Sequence, residues 1–472
     1  MSVAIRTIES WTSLSSNNTY ESSWTTLETV VHNKLEDFVE KQNILVLYPA
    51  LNEPLSAKFY HSHAYKTFRT RSPHMIHELI HSMRENEEWI MKRCGDYARY
   101  DLRRVIWSLS ILRTEILQNS PFKLFYDQEP DAKEWNVAIK RLANREKNQW
   151  FTSTWLFAEC YLYRRIWAAF RRAETLRNFD YFSPIKFNTA QGLANLMNNI
   201  VIATRGLPLN QMNFQLMLKL SLWSNRCDLS NTADPPNDEM LQLIDEYDKD
   251  LIIDQSMDVW HLLSENKQTS RQPIVIDIVF DNAAFELFSD LLLAEYILET
   301  GLAQKVRFHV KSIPWFVSDV TAADFHWMLN SFLRNNLVEL SAFGHKMRSL
   351  LRNQRLELCS INDFWTKPTG FSSMRQLSPC LYVELSFSTL VIFKGDLNYR
   401  KLLDDINRSS TTPFRDCFGG FIPTSICALR VIKSDIYSGM PLCTVDWLTE
   451  DDPHWMMRGE KAVIQLAVKT SP

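Results

Sequence analysis

Two patterns of hydrophobic and polar positions divide the chain. From about residue 58 to 250, apolar residues recur every three or four positions, which predicts helices. Segment 151–173 is a clear instance of this spacing. Its buried face would consist of Trp155, Ala158, Leu162, Ile166 and Phe170. After about residue 270, short β-branched and aromatic runs alternate with helical patterns, which predicts parallel strands joined by crossover helices.

Four of the apolar runs end in polar residues. The carboxyl ends of parallel strands meet at one edge of a sheet, where open α/β proteins bind their ligands, so these residues should converge there. Oxygen donors beside several cations suit a divalent metal ion facing a phosphate. The runs and their polar ends are Ile274–Phe280 with Asp281 and Asn282, Val306–Val310 with Lys311, Ser318 and Asp319, Thr389–Phe393 with Lys394–Lys401, and Cys427–Ile432 with Lys433.

The predicted fold class is α/β. A helical N-terminal domain would pack on a C-terminal three-layer α/β/α domain with a mostly parallel sheet. The predicted boundaries are an N-terminal extension at 1–57, a helical domain at 58–250 and the α/β domain at 251–472. Segment Asn231–Asp238 contains two consecutive prolines, which predicts a loop or the seam between the halves.

Composition excludes several classes of protein. The formal net charge of −3 over 472 residues shows no basic excess, so we expect no nucleic-acid partner. The eight cysteines never form a Cys-x-x-Cys pair and the N-terminus lacks a secretory pattern, which predicts reduced thiols in the cytosol or nucleus. No apolar stretch approaches the ~20 residues that span a bilayer, so no membrane association is expected.

Glycine is scarce, with 11 residues in the chain. Neither a Gly-x-Gly-x-x-Gly dinucleotide turn nor a phosphate-binding P-loop can be written anywhere in the sequence. Phosphate recognition would therefore depend on a metal ion, on Lys and Arg, and on helix N-termini.

One short motif matches a zinc-binding pattern. Segment His77–His81 reads H-E-x-x-H, in which two histidines one helical turn apart could bind zinc and Glu78 could act as a general base. His74 would add a third imidazole. The preceding Ser72 and Pro73 indicate an exposed helix start, and the longer zinc-peptidase extensions are missing. A solvated helix face is therefore the favoured interpretation.

The polar pair Asp281 and Asn282 is the most informative of the strand ends. Asn282 could cap a following helix at about 283–300, and Glu286 in its first turn would face the same crevice. An isolated Asp-Asn pair would indicate only a helix cap. Here further polar strand ends occur in order, which favours a functional site.

Longer motifs occur at Phe280–Leu287, Lys311–Val320 and Phe393–Leu402 and, in the helical half, at Trp155–Ile166 and Leu222–Ser230. These motifs resemble those of the damage-control phosphatases. The resemblance is closer to their eukaryotic sugar-phosphate phosphatase branch, which is also named acidic-residue methyltransferases. It covers about residue 58 to the end of the chain.

The resemblance implies a divalent ion, of the Mn²⁺, Mg²⁺, Co²⁺ or Ni²⁺ type, with Asp281, Asn282 and Asp319 as its ligands. It implies catalytic roles for Asp281 and Lys433, and it leaves open whether Asp281 attacks phosphorus or only holds the ion. The substrate contacts that it implies are Asp281, Asn282, Glu286, Asp319, Asp396, Leu397, Asn398, Tyr399, Arg400 and Lys433.

The chain departs from the family pattern at three places. Ala284 stands where a glycine is usual, and the Arg-Thr-x-Lys signature reads Arg430–Lys433 with Val431 in place of threonine. A basic Asp-Arg-Lys-Trp segment is replaced by Asp404–Asn407. The metal ligands are intact, so the resemblance implies retained catalysis. The loss of a hydroxyl group and two cations near the substrate loop predicts a changed substrate preference.

Several functions are compatible with the sequence. The favoured one is a metal-dependent phosphatase for small phosphorylated metabolites, such as fructose 1-phosphate or fructose 6-phosphate. A protein carboxyl methyltransferase using S-adenosylmethionine is an alternative implied by the family's other name, although no Gly-x-Gly turn is present. A repurposed member acting on another phosphate or diphosphate, and a non-catalytic interaction protein, are further alternatives.

Overall fold

The chain divides into two compact units. The computed structural model describes residues 49–60, 62–227, 244 and 246–469. Of these, 182–404 and 409–469 form what we call the sheet unit, and 49–181 with 405–408 form the helical unit. This division differs from the predicted boundary near residue 250, because the helices between residues 182 and 227 pack with the sheet. The predicted seam at 231–238 and most of the predicted extension lie outside the described residues.

The helical unit is built from amphipathic helices around an aromatic core. The predicted apolar face of segment 151–173 is confirmed as helical and buried. The backbone of residues 52–55 hydrogen-bonds to 405–407 within this unit. The main helices are α1 (Ser72–Glu85), α2 (Glu87–Cys94), α3 (Ala98–Leu117), α4 (Ala132–Ala143) and α5 (Trp155–Arg171), preceded by the short helix His63–Lys66 and the π-helical turn Thr67–Arg71.

The sheet unit contains a seven-stranded sheet in the order β1-β7-β6-β5-β2-β3-β4. Neighbouring strands run parallel except β6 and β7, which are antiparallel. The predicted α/β class with a mostly parallel sheet is thus confirmed. The strands are β1 (Leu251–Asp254), β2 (Val275–Val279), β3 (Lys305–His309), β4 (Leu356–Leu358), β5 (Leu390–Lys394), β6 (Ser425–Val431) and β7 (Ala462–Ala467).

Helices connect these strands and cover the sheet. The longer ones are α6 (Ser183–Gly192), α7 (Ala194–Thr204), α8 (Gln211–Cys227), α9 (Ser256–Thr269), α10 (Phe285–Glu299), α11 (Ala322–Leu333), α12 (Val338–Arg352), α13 (Pro379–Ser386), α14 (Gly395–Leu402) and α15 (Leu442–Asp451). Single-turn helices lie at Asp248–Asp250, Asp363–Thr366, Phe371–Ser373, Met374–Leu377, Phe414–Phe418 and Trp455–Arg458.

Strands β2, β5 and β6 form the centre of the sheet and are almost completely buried. Strands covered on both faces are mostly apolar, which explains why these runs lack a regular alternation of apolar and polar residues. Helix α10 is likewise buried nearly all round and packs on the same hydrophobic core. The carboxyl ends of β2 and β5 therefore lie in the interior of the unit, where polar side chains require partners.

Candidate active site

Backbone pairing brings the polar ends of β2 and β3 together. Asn282 and Asp319 form an isolated antiparallel bridge, and the N–H of Val320 donates to the carbonyl of Asp281 at 2.9 Å. The N–H of Lys311 in turn donates to the carbonyl of Val320, also at 2.9 Å. The three residues expected to hold a metal ion are therefore adjacent.

The loop before Asp319 has a strained backbone. Phe316 and Val317 adopt φ values of 41° and 69°, a region that β-branched residues strongly avoid. The fully buried side chain of Trp315 anchors the loop, and Ser318 Oγ donates to Asn282 Oδ1. The loop thus places Ser318 in hydrogen-bond contact with Asn282.

Asn282 does not cap the following helix, so that expectation is wrong. Helix α10 begins at Phe285, and the residue before it, Ala284, has φ 58° and ψ −124° without a capping side chain. Asn282 still pairs with Asp319, and the chain turns only at Ala284. The Asn282 amide instead donates to Asp281 Oδ2 at 2.9 Å and to Glu286 Oε2 at 2.8 Å.

Three carboxylates share this buried region. Burial, followed by the charges of Glu286 and Asp319, raises the pKa of Asp281 well above its usual value, although Lys311 and Lys433 oppose the effect. Burial also raises the pKa of Asp319, against the nearby charges of Lys311 and Lys186. Such a cluster is electrostatically unfavourable by itself and would be relieved by a bound cation.

Two buried lysines contact Asp319. Lys311 Nζ lies 3.2 Å from Asp319 Oδ2 and donates to the carbonyl of Phe280 at 2.8 Å. Lys186 on α6 donates to the Asp319 carbonyl at 2.9 Å and to Asp324 Oδ2 at 2.8 Å. Sequence reasoning missed Lys186, because its partner is 133 positions away.

A second buried network surrounds Glu286. Lys394 Nζ lies 3.3 Å from Glu286 Oε1 and 2.7 Å from Asp290 Oδ1. Asn225 on α8 donates to Glu286 Oε2 at 3.0 Å, and Lys433 Nζ donates to Asn225 Oδ1. Lys433 is thereby linked to Glu286, a contact that no sequence spacing indicates.

The start of α14 lies against Asp281. Gly395 has φ +82°, and a Cβ atom at this position would lie 2.0 Å from Asp281 Oδ2. Only glycine fits both the left-handed conformation and this close approach. The end of β5 therefore forms one wall of the site.

Asp396 links α14 to the Arg430–Lys433 signature. Its Oδ1 atom accepts from Arg430 Nε at 2.8 Å, from the backbone N–H of Lys433 at 3.1 Å and from Ser434 Oγ at 3.0 Å. Burial alone would raise the pKa of Asp396, but Arg430 and Arg400 outweigh it and lower the pKa. Asp396 thus fixes the backbone that carries Lys433.

The other residues of the predicted substrate loop are buried in α14. Asn398 donates to the carbonyl of Lys394 at 2.7 Å and to that of Phe280 at 3.3 Å, so it ties together the ends of β5 and β2. The Tyr399 hydroxyl donates to Gln465 Oε1 at 2.8 Å, with Arg430 stacked 4.0 Å from the ring centre. Leu397 and Arg400 are also buried. Contact of these side chains with substrate stays a prediction.

The H-E-x-x-H motif does not form a site in the structure. His77 and His81 are exposed on α1, and His81 pairs with Glu85 at 3.1 Å. Within the described part of the chain, neither belongs to a group of three His, Cys, Asp or Glu side chains close enough to share a metal ion. The interpretation as a solvated helix face therefore agrees with the structure.

One such group exists elsewhere, inside the sheet. Asp277, His309 and Cys359 have possible ligand atoms within 4.8 Å of one another, a combination that fits a divalent metal. However, Arg307 Nε and Nη2 each donate to the Asp277 carboxylate at 2.7 Å. Burial, together with Asp277, raises the pKa of the Cys359 thiol. We interpret the group as a buried ion-pair network that joins β2 and β3.

The comparisons with known proteins assign the chain to a family. Residues 67–447 match the profile of the damage-control phosphatase ARMT1-like domain. The damage-control phosphatase ARMT1 of Danio rerio is 34% identical over 434 residues, which cover 88% of this chain and 97% of that protein. The human protein of the same name is 31% identical over 430 residues, covering 87% and 97%. The chain therefore belongs to the damage-control phosphatase ARMT1-like family, which supports a metabolite phosphatase role.

A solved structure is also similar. A DUF89 family protein from Pyrococcus horikoshii covers 66% of this chain and 86% of its own, with 18% identity and a TM-score of 0.38. In the described residues, no helix has the length and apolar character needed to cross a membrane.

Proposed function

We propose that this protein is a metal-dependent phosphomonoesterase that hydrolyses small phosphorylated metabolites. Sugar phosphates such as fructose 1-phosphate and fructose 6-phosphate are the first candidates. The observation that carries the proposal is the adjacency of Asp281, Asn282 and Asp319 at the carboxyl edge of the sheet, surrounded by buried lysines. Family membership independently supports the phosphatase class.

The three residues fit a hard divalent ion. Two carboxylates and an amide are oxygen donors of the kind that Mg²⁺ and Mn²⁺ prefer, and Co²⁺ or Ni²⁺ would also be accepted. Burial raises the pKa of Asp281 and of Asp319 despite the neighbouring lysines, so a bound cation would stabilise the ionised form of both carboxylates. When bound, the ion would supply charge that polarises a phosphoryl oxygen.

The remaining groups have roles that follow from charge and position. The half-buried ammonium of Lys433 would neutralise charge that develops on the phosphoryl oxygens. Arg400 would bind phosphate or a sugar hydroxyl, and the side chain of Asp396 would hold Lys433 while facing the substrate. Asp281 would either attack phosphorus or position the attacking water.

The test begins with metal removal. Protein dialysed against a chelator should hydrolyse p-nitrophenyl phosphate only after Mn²⁺, Mg²⁺, Co²⁺ or Ni²⁺ is added. Asp281→Asn and Asp319→Asn should lose both metal binding and hydrolysis, since each removes one charge from the ligand set. Lys433→Met should keep the metal and lose on the order of a hundredfold in kcat/KM.

The matched controls are His77→Ala and His81→Ala, whose side chains are exposed on α1 of the helical unit. Both should retain bound metal and hydrolysis. Full activity of Asp281→Asn would reject the proposal. Methyl transfer from labelled S-adenosylmethionine to an acceptor protein, without phosphate release from any substrate, would favour the methyltransferase alternative. A panel of sugar phosphates and diphosphates would then identify the preferred substrate.

A further inference from the structure

We infer that Lys394 is a positioning residue for this site: its ammonium group holds the carboxylate of Glu286, which in turn sets the orientation of the amides of Asn282 and Asn225. The inference deepens the proposed function, on which its activity measurement rests. It assigns a task to a buried lysine at the end of β5.

Lys394 is a fully buried charge with several acceptors. Its side chain is 1% exposed, and the Glu286 and Asp290 side chains beside it are 2% and 0% exposed. Its Nζ atom donates to Ser221 Oγ and to Asp290 Oδ1, both at 2.7 Å, and to the Ser221 carbonyl. Burying a charge is costly unless it is paired and hydrogen-bonded, and a hydrophobic side chain would often be more stable here. A geometric role explains the cost.

Glu286 divides its two oxygens between the lysine and the two amides. Oε1 faces Lys394 at 3.3 Å, and Oε2 accepts from Asn282 Nδ2 at 2.8 Å and Asn225 Nδ2 at 3.0 Å. A side-chain amide that donates through Nδ2 must present Oδ1 in another direction. The position of this one carboxylate therefore decides where both amide oxygens point.

Both amide oxygens meet groups of the proposed site. Asn282 Oδ1, the atom able to hold a cation, points away from Glu286 and accepts from Ser318 Oγ. Asn225 Oδ1 accepts from Lys433 Nζ. A shift of Glu286 would therefore disturb a proposed metal ligand and the proposed catalytic ammonium together. Groups behind metal ligands commonly change metal affinity or activity by about tenfold to a hundredfold.

Charge balance alone would be a simpler role for Lys394, because Asp290 is its other buried partner. The two roles make different demands. Charge balance is satisfied once both Lys394 and Asp290 are neutral. Positioning of Glu286 requires the ammonium itself.

The experiment compares Lys394→Met with Asp290→Asn and with the double variant Lys394→Met/Asp290→Asn, all in the full chain. In Asp290→Asn, Lys394 keeps Ser221 and Glu286 as acceptors. The measurements are melting temperature, Mn²⁺ affinity by titration calorimetry, and kcat and KM for p-nitrophenyl phosphate. The single Lys394→Met variant leaves Asp290 without its cation and should melt lower. The double variant should recover much of that loss.

We expect Asp290→Asn to keep Mn²⁺ affinity and kcat close to wild type. The double variant should bind Mn²⁺ about tenfold more weakly and lose at least about tenfold in kcat, because Glu286 is released. Its crystal structure should show Glu286 displaced from the Asn282 amide. A double variant with wild-type Mn²⁺ affinity and an unmoved Glu286 would overturn the inference and leave charge balance as the role.

The proposed function and the inference fail separately. Wild-type protein that binds Mn²⁺ but releases phosphate from no substrate would reject only the proposed function. The Mn²⁺ affinities of the variants and the position of Glu286 would still decide the role of Lys394.

Discussion

At the scale of single residues, Gly395 is the most sharply constrained position of the site. In Gly395→Ala the new Cβ would lie 2.0 Å from Asp281 Oδ2 and 2.8 Å from Asp281 Cβ, so the carboxylate must move. A displacement of about 1 Å at a reacting centre costs on the order of a hundredfold in rate. We expect phosphatase activity to fall by at least about that factor, as measured by kcat/KM.

Gly420→Ala is the matched control for this substitution. Gly420 has φ +88°, and no atom lies within 4 Å of the position that a Cβ would occupy, so alanine there adds backbone strain without a collision. Both variants should lose some stability, but Gly420→Ala should keep wild-type kcat/KM. Equal loss of activity in the two variants would show that strain, and not the position of Asp281, limits catalysis.

Ala284 is a second constrained residue, and here the sequence departs from the family's glycine. Its φ of 58° and ψ of −124° suit glycine, and such strain costs on the order of 1–3 kcal/mol. Ala284→Gly relieves this strain. It also removes a buried methyl group and adds conformational freedom to the unfolded chain, and these two effects together destabilise the fold by roughly 1–1.5 kcal/mol. We expect a net gain of about 1 kcal/mol in the free energy of unfolding, measured by denaturant titration.

The neighbouring substitution Ala283→Gly should change the free energy of unfolding in the opposite direction. Ala283 is equally buried and is absent from the residues with positive φ, so the substitution relieves nothing. It should lower the free energy of unfolding by about 1–1.5 kcal/mol. A loss of stability in both variants would contradict the assignment of strain to Ala284.

The residues of the candidate site also differ in whether they can be predicted from the sequence. Asp281, Asn282 and Asp319 follow apolar runs, and the geometry of parallel sheets predicts their convergence. The contacts of Lys186 with Asp319 and of Asn225 with Glu286 join residues 133 and 61 positions apart. Nothing in local spacing encodes such pairs, since helix packing creates them.

At the scale of elements, Asp405 has a structural role that accounts for part of segment Asp404–Asn407, one of the departures from the family pattern. Its Oδ2 atom accepts at 3.0 Å from the N–H of Leu156 in the first turn of α5, where a negative charge is favoured by the helix dipole. Asp405→Ala would leave this N–H without that acceptor. We expect a loss of about 1–3 kcal/mol in the free energy of unfolding.

Asp405→Asn tests whether the acceptor or the charge matters. It keeps an oxygen beside Leu156, and asparagine tolerates the left-handed φ of 55° found at this residue. We expect less than half of the loss seen with alanine. Equal losses in the two variants would assign the effect to charge rather than to the hydrogen bond.

The strands and helices differ in how well they can be predicted from the sequence. The apolar runs that predict β2, β3, β5 and β6 match the structure within two residues at each end. The sequence pattern does not predict β1 and β4, because they are only four and three residues long and largely half-buried. It also misses β7. The helices from 183 to 227 read as part of a helical domain, since periodicity reports a buried face and not the partner that buries it.

At the scale of the whole molecule, Asp290 should contribute to the pH dependence of the free energy of unfolding. Burial raises its pKa from 3.8 to about 6, although Lys394 opposes the shift. The folded state therefore binds this proton more readily than the unfolded state between about pH 4 and 6. The contribution of Asp290 to stability is lost as pH rises through that window.

Asp290→Asn cannot titrate, so the comparison with wild type isolates this group. The free energy of unfolding of the variant, relative to wild type, should rise from about pH 4 to about 6 and then level off. Urea titrations at closely spaced pH values would measure it. A difference that stays constant over this range, or falls, would contradict the raised pKa.

The position of β7 has a consequence for how the chain folds as it leaves the ribosome. β7 lies between β1 and β6, although about 200 residues separate it from β1 along the chain. Until residues 462–467 emerge, both neighbouring strands expose unpaired backbone edges of the kind that attract other chains. The helical unit likewise cannot be completed until residues 405–408 have been synthesised. Neither unit can be completed early in synthesis, so nascent chains of this protein should depend on chaperones that shield strand edges.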